Sequence, residues 1–211
     1  MTDVSASEPT IWHSDCLSIG EHNPPEFLER INENTASDRV DTSNRLQRGF
    51  PVERKELAKY FSTKHASFDN APLPDFFSLS GPCMTEAFAD VLRGFDLGEV
   101  VFYPIDIYCA DGETLRPEKY LIMNLRSQKI CVEFEQSHRR AFTRMSNGLW
   151  MHMALQPDGR VAVNRSALEG PDVWYDPRAL SGLFFSDRLK RAVEASGLAP
   201  HFRFFRCKLI D

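Results

Sequence analysis

This 211-residue chain has no long apolar run, no glycine-rich loop and no closely paired cysteines. No stretch approaches the ~18 consecutive apolar residues that a membrane helix needs. Its 11 glycines include neither G-x-G-x-x-G nor G-x-x-x-x-G-K-[ST], so nucleotide binding has no support. The five cysteines, Cys16, Cys83, Cys109, Cys131 and Cys207, are odd in number, scattered and without C-x-x-C spacing. That argues against a disulfide framework or a zinc site and suits a reducing cytoplasm. The six histidines form no H-x-x-x-H or H-E-x-x-H and lie at no ligand spacing from a cysteine, so no metal and no cofactor is expected. G-x-S-x-G, the sharp turn that exposes a nucleophilic serine, is absent too, and the first residues lack the basic and apolar regions of a signal peptide.

What is present is ordinary for a folded domain: 42% apolar residues, 16 of them Phe, and 26% charged. At this length roughly 70% of the unfolded chain's surface can be buried, so the core needs no staple. The net charge of −5 is uneven. Residues 1–80 carry 13 acidic and 8 basic side chains, whereas 81–211 carry 17 of each. An acidic start and a neutral body give no footprint for nucleic acid, which calls for a basic stripe.

Residues 1–74 read as a polar N-terminal segment with one or two helices, and 75–211 as the main domain. One helix is expected from Pro24-Pro25, with Phe27, Leu28 and Ile31 on one face. A second is expected from Pro51-Val52, carrying Leu57, Tyr60 and Phe61. Asn32 to Arg48 shows no apolar periodicity and reads as a loop. Strands are expected at Phe76–Leu79, broken by Gly81-Pro82, then at Val100–Tyr108, Tyr120–Met123 and Leu149–Leu155. Val161–Val163 is expected to pair back on Leu149–Leu155 across the Pro157-Asp158-Gly159 turn. Lys129–Glu135 is the cleanest period-two stretch, with Ile130, Val132 and Phe134 inward. Strand-like Phe202–Ile210 closes the chain.

One pattern occurs twice, about 100 residues apart. Thr85 precedes an amphipathic run with Phe88, Val91 and Leu92 at helical spacing, then Asp96-Leu97-Gly98 and Val100-Val101-Phe102-Tyr103-Pro104. Ser186 precedes Asp187–Val193, then Gly197-Leu198-Ala199 and Phe202-Arg203-Phe204-Phe205. The expected fold is α+β: a largely antiparallel sheet carrying two equivalent helix–strand units, plus the polar, partly helical N-terminal segment.

Few residues point to chemistry. Glu133 and Glu135 would share a strand face about 7 Å apart, the look of a solvated sheet face. His152, flanked by Met151 and Met153, reads as a surface or hydrogen-bonded histidine. The run His138-Arg139-Arg140 with Arg144 is the one cationic cluster in the middle of the chain, fit to grip an acidic partner or phosphate.

From Asp75 onward the chain resembles the eleventh immunity-protein family of bacterial polymorphic toxin systems. The resembling residues are the capped helix followed by Val100–Ile105, Tyr120-Leu121-Ile122-Met123-Asn124, Glu135-Gln136-Ser137, and Phe184-Phe185-Ser186-Asp187-Arg188-Leu189 with its aromatic tail. The resemblance implies a cytoplasmic, non-enzymatic α+β protein that binds and neutralises a cognate toxin, and it carries over no catalytic residue. His138, Arg139, Arg140 and Arg144 are the candidate partner-binding residues. Two alternatives stay open: an enzyme assembling Glu133, His138 and Arg140 through the fold, and a scaffold that self-associates into a homo-oligomer through its two units.

Overall fold

A computed structural model describes residues 9–17, 28–31, 36–79, 81–153, 157–198 and 202–211. The α-helices among them are α1 (Ala36–Leu46), α2 (Glu86–Arg93) and α3 (Asp187–Ser196). Mostly antiparallel strands supply the rest of the regular structure, and the class is α+β.

The doubled pattern is the frame of the molecule, and it begins earlier than its helix caps. In the first unit Phe76–Ser78 pairs antiparallel with Pro82–Thr85, placing Phe76 opposite Met84. In the second, Val173–Tyr175 pairs with Leu183–Ser186, placing Val173 opposite Phe185. Each hairpin is fastened by an aspartate at its entry. The Asp75 carbonyl accepts the Thr85 N–H at 2.9 Å, and its carboxylate accepts the Thr85 hydroxyl at 2.8 Å. Asp172 treats Ser186 identically, its carbonyl accepting the N–H at 2.8 Å and its carboxylate accepting the hydroxyl. Thr85 and Ser186 then cap their helices, accepting from the amides of Phe88 at 3.4 Å and Leu189 at 3.3 Å.

Each helix returns to the sheet along the predicted aromatic strand, Val100–Ile105 in one unit and Phe204–Arg206 in the other. A further strand fills the gap between the strands before and after the helix. In the first unit this is Tyr120–Leu125, from later in the chain; in the second it is Ile11–Ser14, from the N-terminal segment. Both four-stranded sheets therefore have one order and one set of orientations, although their third strands come from opposite chain directions.

The alternation of side chains splits the interior into three cores. Met84, Leu121, Met123, Val173, Leu183 and Phe185 face a central core shared with Phe88 and Leu92 of α2 and Leu189 and Val193 of α3. Phe77, Cys83, Tyr120 and Ile122 face an outer core closed by Leu46, Val52, Leu57 and Phe61. Ile11, Trp174 and Phe184 face another, closed by Cys131, Val132, Phe142, Val161 and Val163. Both faces of this sheet are covered, so all six residues of Tyr120–Leu125 are buried, Asn124 among them with its side-chain amide donating to the Val52 carbonyl at 2.9 Å.

Several expectations fail. Asn32 to Arg48 contains helix α1 rather than a loop, with residues 32–35 outside those described. Of its apolar residues, Leu46 is buried while Val40 is 61% exposed, so no apolar period marks it. Its exit is Gly49 at φ +74°, where an added Cβ would come 2.9 Å from Gln128. The helix expected from Pro24 falls partly on residues 23–27, outside those described; its remainder, Leu28–Ile31, is a strand paired with Tyr60–Thr63. The helix expected from Pro51 is a single 3-10 turn, Arg54–Glu56. The chain then enters Tyr60–Thr63, which has ladder partners on both sides. The strand from Phe76 ends at Ser78, before Gly81-Pro82 as expected, and Pro82 itself opens the next strand.

Lys129–Glu135 is not a strand: it makes a single bridge at Val132, then the 3-10 turn Phe134–Gln136, and Ile130 is 65% exposed. Scattered backbone partners and one side chain satisfy this backbone in place of a ladder. The Asp176 carboxylate accepts the amides of Cys131 and Val132 at 3.1 and 3.0 Å. Finally, Ala162–Asn164 pairs in parallel with Lys208–Ile210. Trp150–His152 pairs instead with Phe142–Arg144 and Ala179–Leu180, while residues 154–156 lie outside those described.

Candidate partner-binding face

The cationic run sits on a turn held from both ends. His138 donates its amide to the Arg160 carbonyl at 2.8 Å, and Ala141 donates back to the His138 carbonyl at 2.7 Å. Ser137 ties the turn to its surroundings, its hydroxyl donating to the Glu133 carbonyl at 2.9 Å and accepting the Ala162 amide at 3.0 Å. His138, Arg139 and Arg140 are exposed on this turn, and the Arg140 amide donates to His138 Nδ1 at 3.3 Å. Local desolvation and the nearby charges of Arg160, Arg139 and Arg140 hold His138 below its usual imidazole value. Arg160 is thus a fourth member, which follows the Asp158-Gly159 turn and carried no signal of its own in the sequence.

Arg144 lies further along, on the strand Phe142–Arg144 opposite Trp150, with its guanidinium 5.9 Å from that ring. Trp150 stacks on Phe134 at 4.7 Å, and Arg178 covers Phe134 at 4.9 Å. The predicted quartet therefore divides into a tight trio with Arg160 and a separate Arg144 on an aromatic base.

Most arginines elsewhere are engaged, Arg39 and Arg206 being exceptions among the described residues. Arg45, Arg93, Arg116, Arg126, Arg165, Arg178, Arg188, Arg191 and Arg203 each have a carboxylate within 4.0 Å. Arg48 and Arg54 donate to backbone carbonyls. Among the described residues, Arg139, Arg140, Arg144 and Arg160 form no such ion pair.

In the enzymatic alternative, no hydrogen bond or ion pair among the described residues joins the Glu133 carboxylate to His138 or Arg140. The Glu133 carboxylate accepts from the Asn164 amide at 2.8 Å, while His138 Nδ1 is occupied by the Arg140 amide. Glu133 and Glu135 share no strand face, since one precedes and the other lies within the 3-10 turn. Burial raises the thiols of Cys16 and Cys207 and pushes Cys131 up to about 11. Partly exposed Cys109 is also raised, by desolvation and then by Asp69 and Asp111. None is an activated nucleophile. Among the described residues no three His, Cys, Asp or Glu side chains cluster to hold a metal, and no helix is long and apolar enough to cross a membrane.

His152 departs from its surface reading. It is 1% exposed and packs against buried His13, ring centroids 4.9 Å apart, with no hydrogen-bond partner among the described residues at any of the four ring nitrogens. The sequence held no sign of this pair, because 139 residues separate its members.

Fold and surface together define an α+β protein of two like units whose exposed chemistry is a group of unneutralised cations. Comparison with known families is specific: the chain belongs to the Imm11 immunity protein family, whose sequence model matches residues 21–207. That match reaches beyond the motifs from Asp75 onward and takes in residues 21–74 as well. No curated protein matches the chain.

Proposed function

We propose that this protein is a bacterial immunity protein of the cytoplasm that binds and neutralises the toxin domain of a polymorphic toxin system, by occlusion and without chemistry of its own. Family membership carries this reading. His138, Arg139, Arg140 and Arg144 are the proposed contact residues, supported by their exposure and by the lack of a carboxylate partner for the three arginines among the described residues. Little favours self-association through the two helix–strand units, because α2 and α3 spend their apolar faces on one shared core. The test is co-expression with the toxin domain encoded next to the gene. Rescue of growth and co-purification of a complex are expected; intoxication despite soluble expression refutes the reading.

A further inference from the structure

Three neighbouring stretches of backbone carry several cations that have no ion pair among the described residues, and hydrogen bonds fix their order. The middle stretch is 157–162. On one side it receives the His138 amide at the Arg160 carbonyl. On the other, Gly159 donates to the Arg206 carbonyl at 2.7 Å, and Lys208 donates to the Val161 carbonyl at 2.8 Å. Arg206 and Lys208 flank buried Cys207, and both are exposed. They line an open groove of about 570 Å³ together with Pro9, Thr10, Gly159 and Leu209. Neither has a carboxylate within 4.0 Å among the described residues.

The cations thus run Arg139 and Arg140, then Arg160, then Arg206 and Lys208. At ~4.8 Å between adjacent stretches, their backbones span about 10 Å, the length of roughly three extended residues. Asp158 is the carboxylate within this strip, and it is committed to the Arg206 amide at 2.7 Å. Five cations against the one carboxylate of Asp158 leave the strip net positive, which attracts a partner of opposite charge.

We propose that this strip binds an acidic segment of the partner protein, several Asp or Glu residues lying across the turn at 138–140, Arg160 and the groove at Arg206 and Lys208. The inference rests on the toxin-binding reading and names the partner's chemistry. Arginine forks match carboxylates two bonds at a time. One observation favours an acidic segment over nucleic acid. Trp150, the tryptophan nearest the turn in sequence, is already stacked on Phe134 rather than free to receive a base.

The experiment compares wild type with R139E/R140E/R160E/R206E, and with Lys119→Glu as an exposed control away from the strip. Titration calorimetry uses three probes: the neighbouring toxin domain, an octaglutamate peptide and a single-stranded DNA octamer. Unchanged thermal unfolding verifies that the variants fold. The quadruple variant is expected to lose ~100-fold or more in affinity for toxin and octaglutamate, and the control less than about 3-fold. Wild-type binding to toxin that survives the four reversals overturns the strip while leaving the toxin-binding reading intact. A wild type that ignores the toxin sinks that reading, and the octaglutamate arm still decides the strip. Tighter binding of DNA than of octaglutamate overturns the carboxylate assignment.

Discussion

Acid should weaken this protein through two buried histidines that have no hydrogen-bond partner among the described residues. His13 comes from the strand Ile11–Ser14, between Phe184 and Phe205 across the ladder. His152 comes from Trp150–His152, beside Phe142 at 5.3 Å. Burial depresses His13, helped by the proximity of His152, and burial holds His152 down at about 4 against an ordinary 6.5. The nearest carboxylate in sequence, Asp15, is turned to Arg203 at 3.5 Å. Between pH 6.5 and 4 the unfolded chain binds a proton at residue 152 that the folded chain refuses, so stability is intact above 6.5 and falls as the pH drops. At about 1.4 kcal/mol per pH unit, His152 alone contributes a loss of about 3 kcal/mol, and His13 adds to it in the same direction. That is a large share of a typical ~5–15 kcal/mol stability. Urea unfolding of wild type and His152→Leu across this range isolates the histidine from the carboxylates common to both. Leucine should match wild type at neutral pH, since it removes two unpaired nitrogens, and should lose about 3 kcal/mol less by pH 4. Parallel losses in the two proteins would refute the reasoning.

Asp172→Ala should cost about 2–3 kcal/mol in chemical denaturation, because it strips partners from the Ser186 hydroxyl, the Asp96 amide and Arg188 at a buried site. Burial pushes the Asp172 carboxyl up, but those bonds outweigh it and hold it below the usual range. Asp75→Ala removes the carboxylate's bond to Thr85 and should cost about 1 kcal/mol; equal losses would break the proposed ranking. A chain of residues 75–211 lacks Ile11–Ser14, the strand between Leu183–Ser186 and Phe204–Arg206, and should give no cooperative thermal transition. A sharp transition from that fragment would show that the main domain folds alone. Octaglutamate affinity should rise as pH falls below 6.5, where His138 gains its charge, and His138→Gln should flatten that rise.

Where the sequence was readable, local chemistry set the structure. Thr85 and Ser186 cap helices for the reason any hydroxyl does at that position, and the inward faces of α2 and α3 follow the spacing of Phe88 with Leu92 and of Leu189 with Val193. Where it was not, tertiary partners overrode the pattern. Lys129–Glu135 has strand periodicity, but the Asp176 carboxylate takes two of its amides, and Lys129 bonds the carbonyls of Ala167 at 3.1 Å and Pro171 at 2.9 Å. Helix α1 has the opposite history: almost no apolar face, yet Leu46 at its end reaches the core beside Phe77.

The same logic explains why only half of the cationic strip was legible. Adjacency in sequence revealed Arg139 and Arg140, whereas Arg160 and Arg206 reach them through backbone hydrogen bonds between distant segments. Nor does a sequence show which arginines are neutralised. Arg178 and Arg188 look as free in the chain as Arg139 does, yet the buried carboxylates of Asp176 and Asp172 hold them. The informative quantity is the charge left over after folding has made its pairs, and in this protein much of that remainder lies along one strip. On the proposed reading, an acidic segment of the partner would improve the electrostatic energy of this strip, whereas the paired arginines elsewhere already have their counter-charges within the fold.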